Sequence, residues 1–260
     1  MNDTSASSPD LQPAPPPGTV RVPLPVSVPR VTYVIVGITV FIYVLQLASV
    51  YFLGYALYDL DWLELSGARI NSMIRAGQIW RFFTPVLLHG SVPHIFFNMY
   101  GLVALGSMLE RHFGHGRFLT LYLLTAFSGN VFSFLLGSDN GYSVGASTAI
   151  FGLAAAEGMF LYMNKGLFGD QAKRAMTNIA VVIAANLFLG LAPGIDNWGH
   201  VGGLLGGFLF TWFAGPRWSV AGIYPDYHLV DKTELRGVMV GSSAVIFIFG
   251  FLALWGMFLK

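Results

Sequence analysis

Cysteine is absent from all 260 residues. Disulfides, thiolate nucleophiles and Cys-based metal sites are therefore excluded together, although this does not fix a compartment. Charge is nearly as scarce, at 10% of residues against the roughly 25% of ordinary globular proteins. The formal net charge of +1 offers nothing to a nucleic acid. Residues 31–53, 118–136 and 238–259 contain no charged side chain at all.

Apolar residues make up 55% of the chain, and each uncharged stretch matches the ~20 residues a helix needs to cross a bilayer. A bundle of such helices satisfies its own backbone, as hydrocarbon requires. The fold class is therefore an all-α, polytopic membrane helix bundle. Seven spans are predicted: 31–53, 93–109, 118–136, 146–163, 175–191, 198–214 and 238–259. The first is read as a retained span, since it starts too late and runs too long for a cleaved signal. Before it, Pro9, Pro13, Pro15, Pro16, Pro17, Pro23, Pro25 and Pro29 predict a disordered cytosolic tail over 1–30. Between spans one and two, residues 54–88 mix Trp62 and Trp80 with Arg69, Arg75 and Arg81, predicting short helices at the interface.

Lys and Arg counts orient the bundle. With the N-terminus inside, ten of the 14 lie on the inner side and four outside, which predicts a cytoplasmic N-terminus and an outer C-terminus. The short tails and the lack of targeting signals suggest a bacterial plasma membrane.

This topology sends spans two, four and six inward from the outer face. His94 and Asn98 then sit in the first turns of span two, Ser147 opens span four, and His200 stands near the start of span six. Polar groups within spans are costly and are functional candidates by default. Ser147 lies at a loop-to-helix junction, where unpaired N–H groups favour a developing oxyanion. A serine hydroxyl needs a base within reach, and His200 is the candidate. Gly203 and Gly207 thin one face of span six, while Phe151, Ala154 and Gly158 form the matching face of span four. His94 and Asn98, four apart, share a helical face and supply neutral donors suited to an oxyanion hole. Taken singly, each feature has a plainer reading as helix packing. No acid completes a triad. Asp196 falls in the outer loop, and Glu157 lies about 15 Å down span four.

These residues resemble the rhomboid family of intramembrane serine proteases. The resemblance covers about residues 31–215, through Trp80-Arg81, His94-x-x-x-Asn98, Gly145-x-Ser147 and His200-x-x-Gly203-x-x-x-Gly207, with Glu110 closing span two. It implies a six-helix core over 31–215 and one appended span within 216–260. It makes Ser147 the nucleophile, His200 the general base, and His94, Asn98 and the Ser147 N–H the oxyanion hole. His89 would line a water-filled cavity, Phe151 would pack on His200, and Trp80-Arg81 would anchor the loop in the outer leaflet. Span five would border the path of the substrate helix. The partners implied are transmembrane segments of other proteins and the bilayer itself, with no cofactor, no metal and no stated oligomeric state.

One departure stands out. Thr148 follows the serine where the family commonly has glycine, so altered substrate preference or a lower rate, through crowding of the substrate or a narrowed hole, is expected rather than loss of activity. Three alternatives remain: a non-catalytic rhomboid-like binder of membrane helices, a transporter or channel, and a metalloprotease with zinc held by His89, His94 and His200. The second lacks an internal repeat, and the third lacks any His-Glu-x-x-His motif.

Overall fold

The computed structural model describes residues 22–258. Most of the proline-rich tail expected over 1–30 lies outside these residues. Residues 22–29 have no regular secondary structure, and Ser27 N–H donates to Arg111 O at 2.9 Å.

Seven long helices follow: α1 (Arg30–Leu53), α2 (Val92–Phe113), α3 (His115–Leu136), α4 (Ser147–Met163), α5 (Asp170–Leu189), α6 (Asn197–Ala214) and α7 (Leu235–Phe258). A helix is present at each of the seven expected spans, its ends within five residues of the sequence boundaries. Helices α1, α2, α3, α5 and α7 are long and apolar enough to cross a membrane. The other two are shorter or more glycine-rich: α4 has 17 residues and α6 has 18.

Helix α6 lies between α3 and α4, and glycine decides how closely. Gly203 and Gly207 face α4, where a β-carbon would run into Thr148 O and Gly152 O. Gly202 and Gly206 face α3, where a β-carbon at Gly202 would stand 2.5 Å from Phe132 Cβ. Backbone thus meets backbone on two sides of one helix. On α4 the small residue in this contact is Gly152. Gly158, expected on the same face, takes no part, because nothing lies within 4 Å of a β-carbon there.

Helix α2 is wound as a π-helix over Leu102–Gly106, a local change of register between its two ends. At its far end Glu110 is fully buried and accepts from Arg30 N, Val31 N and Thr32 N at 2.8–2.9 Å, and from Thr32 Oγ1 at 2.7 Å. Its carboxylate caps α1 in place of any side chain of α1's own. Helix α7 lays Gly241, Val245, Phe249, Ala253 and Gly256 along one stripe against α3 and α6. Helix α5 differs from the rest, with Ala172 its one buried residue.

The long loop between α1 and α2 consists of short helices, including Trp62–Gly67 and Asn71–Arg75, as expected. Arg81 holds it together from inside: its guanidinium donates to Ala68 O and Leu65 O, both at 2.6 Å, and to Gln78 Oε1 at 2.7 Å. Trp80 is half-exposed and donates to Ser66 O. Strand β1 (Arg69–Ile70) pairs antiparallel with β2 (Tyr142–Ser143), joining this loop to the segment that leads into Ser147.

One element was not expected. The linker after α6 is a hairpin, β3 (Trp218–Ala221) and β4 (His228–Asp231), rather than plain coil. Asn164, just past α4, pins its start by donating to Pro216 O and accepting from Trp218 N. The two small sheets leave the bundle all-helical within its long spans.

Candidate active site

Ser147 is the first residue of α4, so its own N–H and the next few have no acceptor within the helix and point toward the preceding loop. That loop reaches Ser147 through Gly145, whose φ of +124° is unfavourable for other residues. A β-carbon at Gly145 would also stand 2.6 Å from His94 Nε2, so the glycine is what lets the loop lie against that ring.

His200 enters one turn into α6. Its Nε2 is 3.0 Å from Ser147 Oγ, a distance allowed by the Gly203–Thr148 backbone contact below. Phe151, one turn down α4 from Ser147, stacks on the imidazole with centroids 4.0 Å apart and planes 8° apart. His200 Nδ1 is buried and meets no acceptor among the described residues. Asp196 is not a third member. It caps α6, accepting from Gly199 N at 2.9 Å and from Ser133 Oγ.

The predicted donors on α2 divide. His94 lies beside Gly145, but the Asn98 amide donates to His94 O at 2.9 Å, within its own helix. His89 lies behind them, edge-to-face with His94 at 5.0 Å, and its Nε2 accepts Ala146 N–H at 3.4 Å. Burial, and then the neighbouring His94, push the His89 imidazole down to about 3, so it is neutral and able to accept. No three metal-ligating side chains converge among the described residues.

Thr148 does not face the serine's surroundings. It is buried, with its side chain against Gly129 of α3 and Gly199 of α6. A β-carbon at Gly129 would be 2.6 Å from Thr148 Cβ. The expected crowding of a substrate therefore has no basis in its position.

Sequence reasoning missed Gln46. Buried on α1, it clamps the His89 backbone from both sides: its amide donates to His89 O at 3.3 Å, and its carbonyl accepts His89 N–H at 3.1 Å. The same amide donates to Asp61 Oδ2 at 2.7 Å. The available signal was a lone amide in an otherwise uncharged span.

A multi-pass membrane bundle in which a helix-opening serine faces a histidine across a glycine seam is a defined class of protein. Residues 76–217 match the family model for the Rhomboid domain, more than half of the chain. Rhomboid protease GluP of Bacillus subtilis is 38% identical over 184 residues, which cover 70% of this chain and 34% of that protein. RHOMBOID-like protein 4 of Arabidopsis thaliana is 35% identical over 199 residues, 72% of this chain and 48% of that one. Rhomboid-like protease 1 of Toxoplasma gondii is 35% identical over 144 residues, 55% of this chain and 49% of that one. The chain belongs to the rhomboid family. It spans between about a third and a half of the length of these relatives.

Proposed function

We propose that this chain is an intramembrane serine endopeptidase that cuts transmembrane segments of other proteins, with Ser147 as nucleophile and His200 as general base. The observation that carries the proposal is the 3.0 Å contact between His200 Nε2 and Ser147 Oγ at a helix N-terminus.

As Ser147 Oγ bonds to the scissile carbonyl carbon, its proton passes to His200 Nε2. The oxyanion is received by the Ser147 N–H, strengthened by the α4 dipole, and by His94. Asn98 joins them by giving up its bond to His94 O as charge develops. His200 then hands the proton to the leaving amine as the C–N bond breaks. Water, losing a proton to His200, attacks the acyl carbon, and that proton returns to Ser147 Oγ as the acyl C–Oγ bond breaks and releases the carboxylic acid product. A Ser-His dyad is a known variant of triad logic, and the lack of a partner for His200 Nδ1 among the described residues is consistent with it. Phe151 takes over the orienting role that an acid would have.

The 17 residues of α4 span about 25 Å, short of the ~30 Å of hydrocarbon. Asn164 ties its far end to the start of the hairpin after α6, which supports assigning the shortfall to the Ser147 end. This favours cleavage just below one membrane face, which the Lys/Arg asymmetry makes the outer one. The sparse burial of α5 favours that flank as the path of the substrate helix. On this reading residues 31–215 form the protease core and α7 is an addition to it.

The test is cleavage of a single-span substrate by purified protein in detergent. Wild type should cut, while Ser147→Ala and His200→Ala should not. A folded wild type inert toward several substrates would overturn the proposal in favour of a non-catalytic helix-binding protein.

A further inference from the structure

The end of α6 remote from His200 carries a feature that proteolysis does not use. A cleft of about 410 Å³ opens between the last turn of α6 and the first turn of α7. Arg217, Lys232 and Arg236 line it, along with one acid, Glu234, and the apolar Phe213 and Val240. Phe213 stands roughly 20 Å along α6 from His200.

The frame of this cleft is fixed by bonds that put none of its cations in an ion pair among the described residues. Thr233 Oγ1 donates to Gly215 O at 2.8 Å, and Arg217 N–H donates to Asp231 Oδ1 at 2.9 Å. The other oxygen of Asp231 is held by Arg117 at 2.8 Å. Close approach of the two helices is set at Gly237, where a β-carbon would be 2.6 Å from Phe213 O. Among the described residues, the ion pairs involve Arg75, His115 and Arg117, and none involves Arg217, Lys232 or Arg236. All three are exposed, and the Arg217 guanidinium donates to Trp212 O at 2.7 Å.

We propose that this cleft binds the headgroup of an anionic phospholipid, its phosphate held by Arg217, Lys232 and Arg236 and its acyl chains lying along Phe213 and Val240. Three cations against one carboxylate leave an excess of positive charge for a phosphodiester. A soluble phosphate would satisfy the same cations. What favours a lipid is the apolar wall: Phe213 and Val240 are 38% and 42% exposed, and they stand on the facing ends of two long helices, α6 and α7, the latter long and apolar enough to cross a membrane. The cleft also lies at the Lys/Arg-rich end of the bundle, the side on which a cytoplasmic leaflet presents anionic lipid. The site does not depend on whether Ser147 is catalytic.

Native mass spectrometry of the full chain in detergent, titrated with phosphatidylglycerol or phosphatidylcholine, tests this. Wild type should retain one phosphatidylglycerol at roughly tenfold lower lipid concentration than phosphatidylcholine. Lys232→Gln and Arg236→Gln should each weaken retention by roughly fivefold, about the effect of one cation near an anionic surface. The pair should abolish the preference. Lys173→Ala with Arg174→Ala, exposed cations on α5 outside the cleft, should leave it intact. Each Gln variant alters only an exposed side chain, and retained helical circular dichroism checks its fold. The proposal is overturned if the α5 pair lowers retention as much as the cleft pair, which would mean charge alone. It is equally overturned if the Gln variants bind as wild type, or if glycerol phosphate displaces the lipid at equal concentration, the mark of a soluble-anion site.

Discussion

The γ-methyl of Thr148 fills the space that a side chain on Gly199 would need: a β-carbon at position 199 would stand 2.8 Å from it. The two positions flank the Ser147–His200 pair and share one volume. Gly199→Ala should therefore destabilise the protein by about 1–3 kcal/mol through overpacking. Thr148→Gly should relieve part of that cost. Relief is partial because a β-carbon at 199 also comes within 3.0 Å of Asp196 Oδ2. Thermal midpoints of the four proteins in a double-mutant cycle measure the coupling, and strictly additive effects would refute shared volume.

Phe151 should act by orientation. Phe151→Tyr keeps the ring on His200 and should hold kcat within about twofold. On the proposed mechanism, Phe151→Ala should lower kcat about tenfold with KM little changed, because misaligning the proposed base would weaken the chemical step. A loss confined to KM would instead make Phe151 part of the substrate's path.

Glu110→Gln should be the costly conservative change in the bundle. The carboxylate accepts four bonds from the start of α1 and a fifth from His115, while an amide can accept at only one of its two heavy atoms. Leaving buried donors unmet should cost about 2–4 kcal/mol, read as a lower thermal midpoint in detergent. An unchanged midpoint would mean that α1 is held by packing alone.

Glu64 gives the loop before α2 a pH dependence. Burial first, and then the nearby Asp61, push its carboxyl up from 4.5 to about 7. Between those values the folded chain holds a proton that the unfolded chain has released. Stability should therefore fall as pH rises through this window, and be fully present below it. Glu64→Gln should flatten the profile of melting midpoint against pH. Equal slopes in both proteins would place the dependence elsewhere.

The long helices were legible because uncharged runs of bilayer length have few alternatives. Ser147 and His200 were legible because polar groups stand out in such runs. The packing that brings them together was only half legible. Gly203 and Gly207 carried a visible spacing, but the role of Gly152 depends on how α4 is rotated against α6, and a single helix's pattern does not specify that. Thr148 looked like an obstruction because its neighbour is the proposed nucleophile. One residue along a helix turns a side chain by about 100°, here into the α3 and α6 seam. The hairpin after α6 was hidden by its length, since two strands of four residues leave little alternation to read.

The Glu110 cap has a consequence for how the protein is made. The groups it satisfies in α1 lie 78 to 80 residues upstream. A ribosome delivering the chain from its N-terminus inserts α1 long before the carboxylate exists. Until α2 arrives, the first turn of α1 has to be met by headgroups or water. The first two spans then become a unit only when the whole intervening loop, with Arg81 at its centre, has left the ribosome.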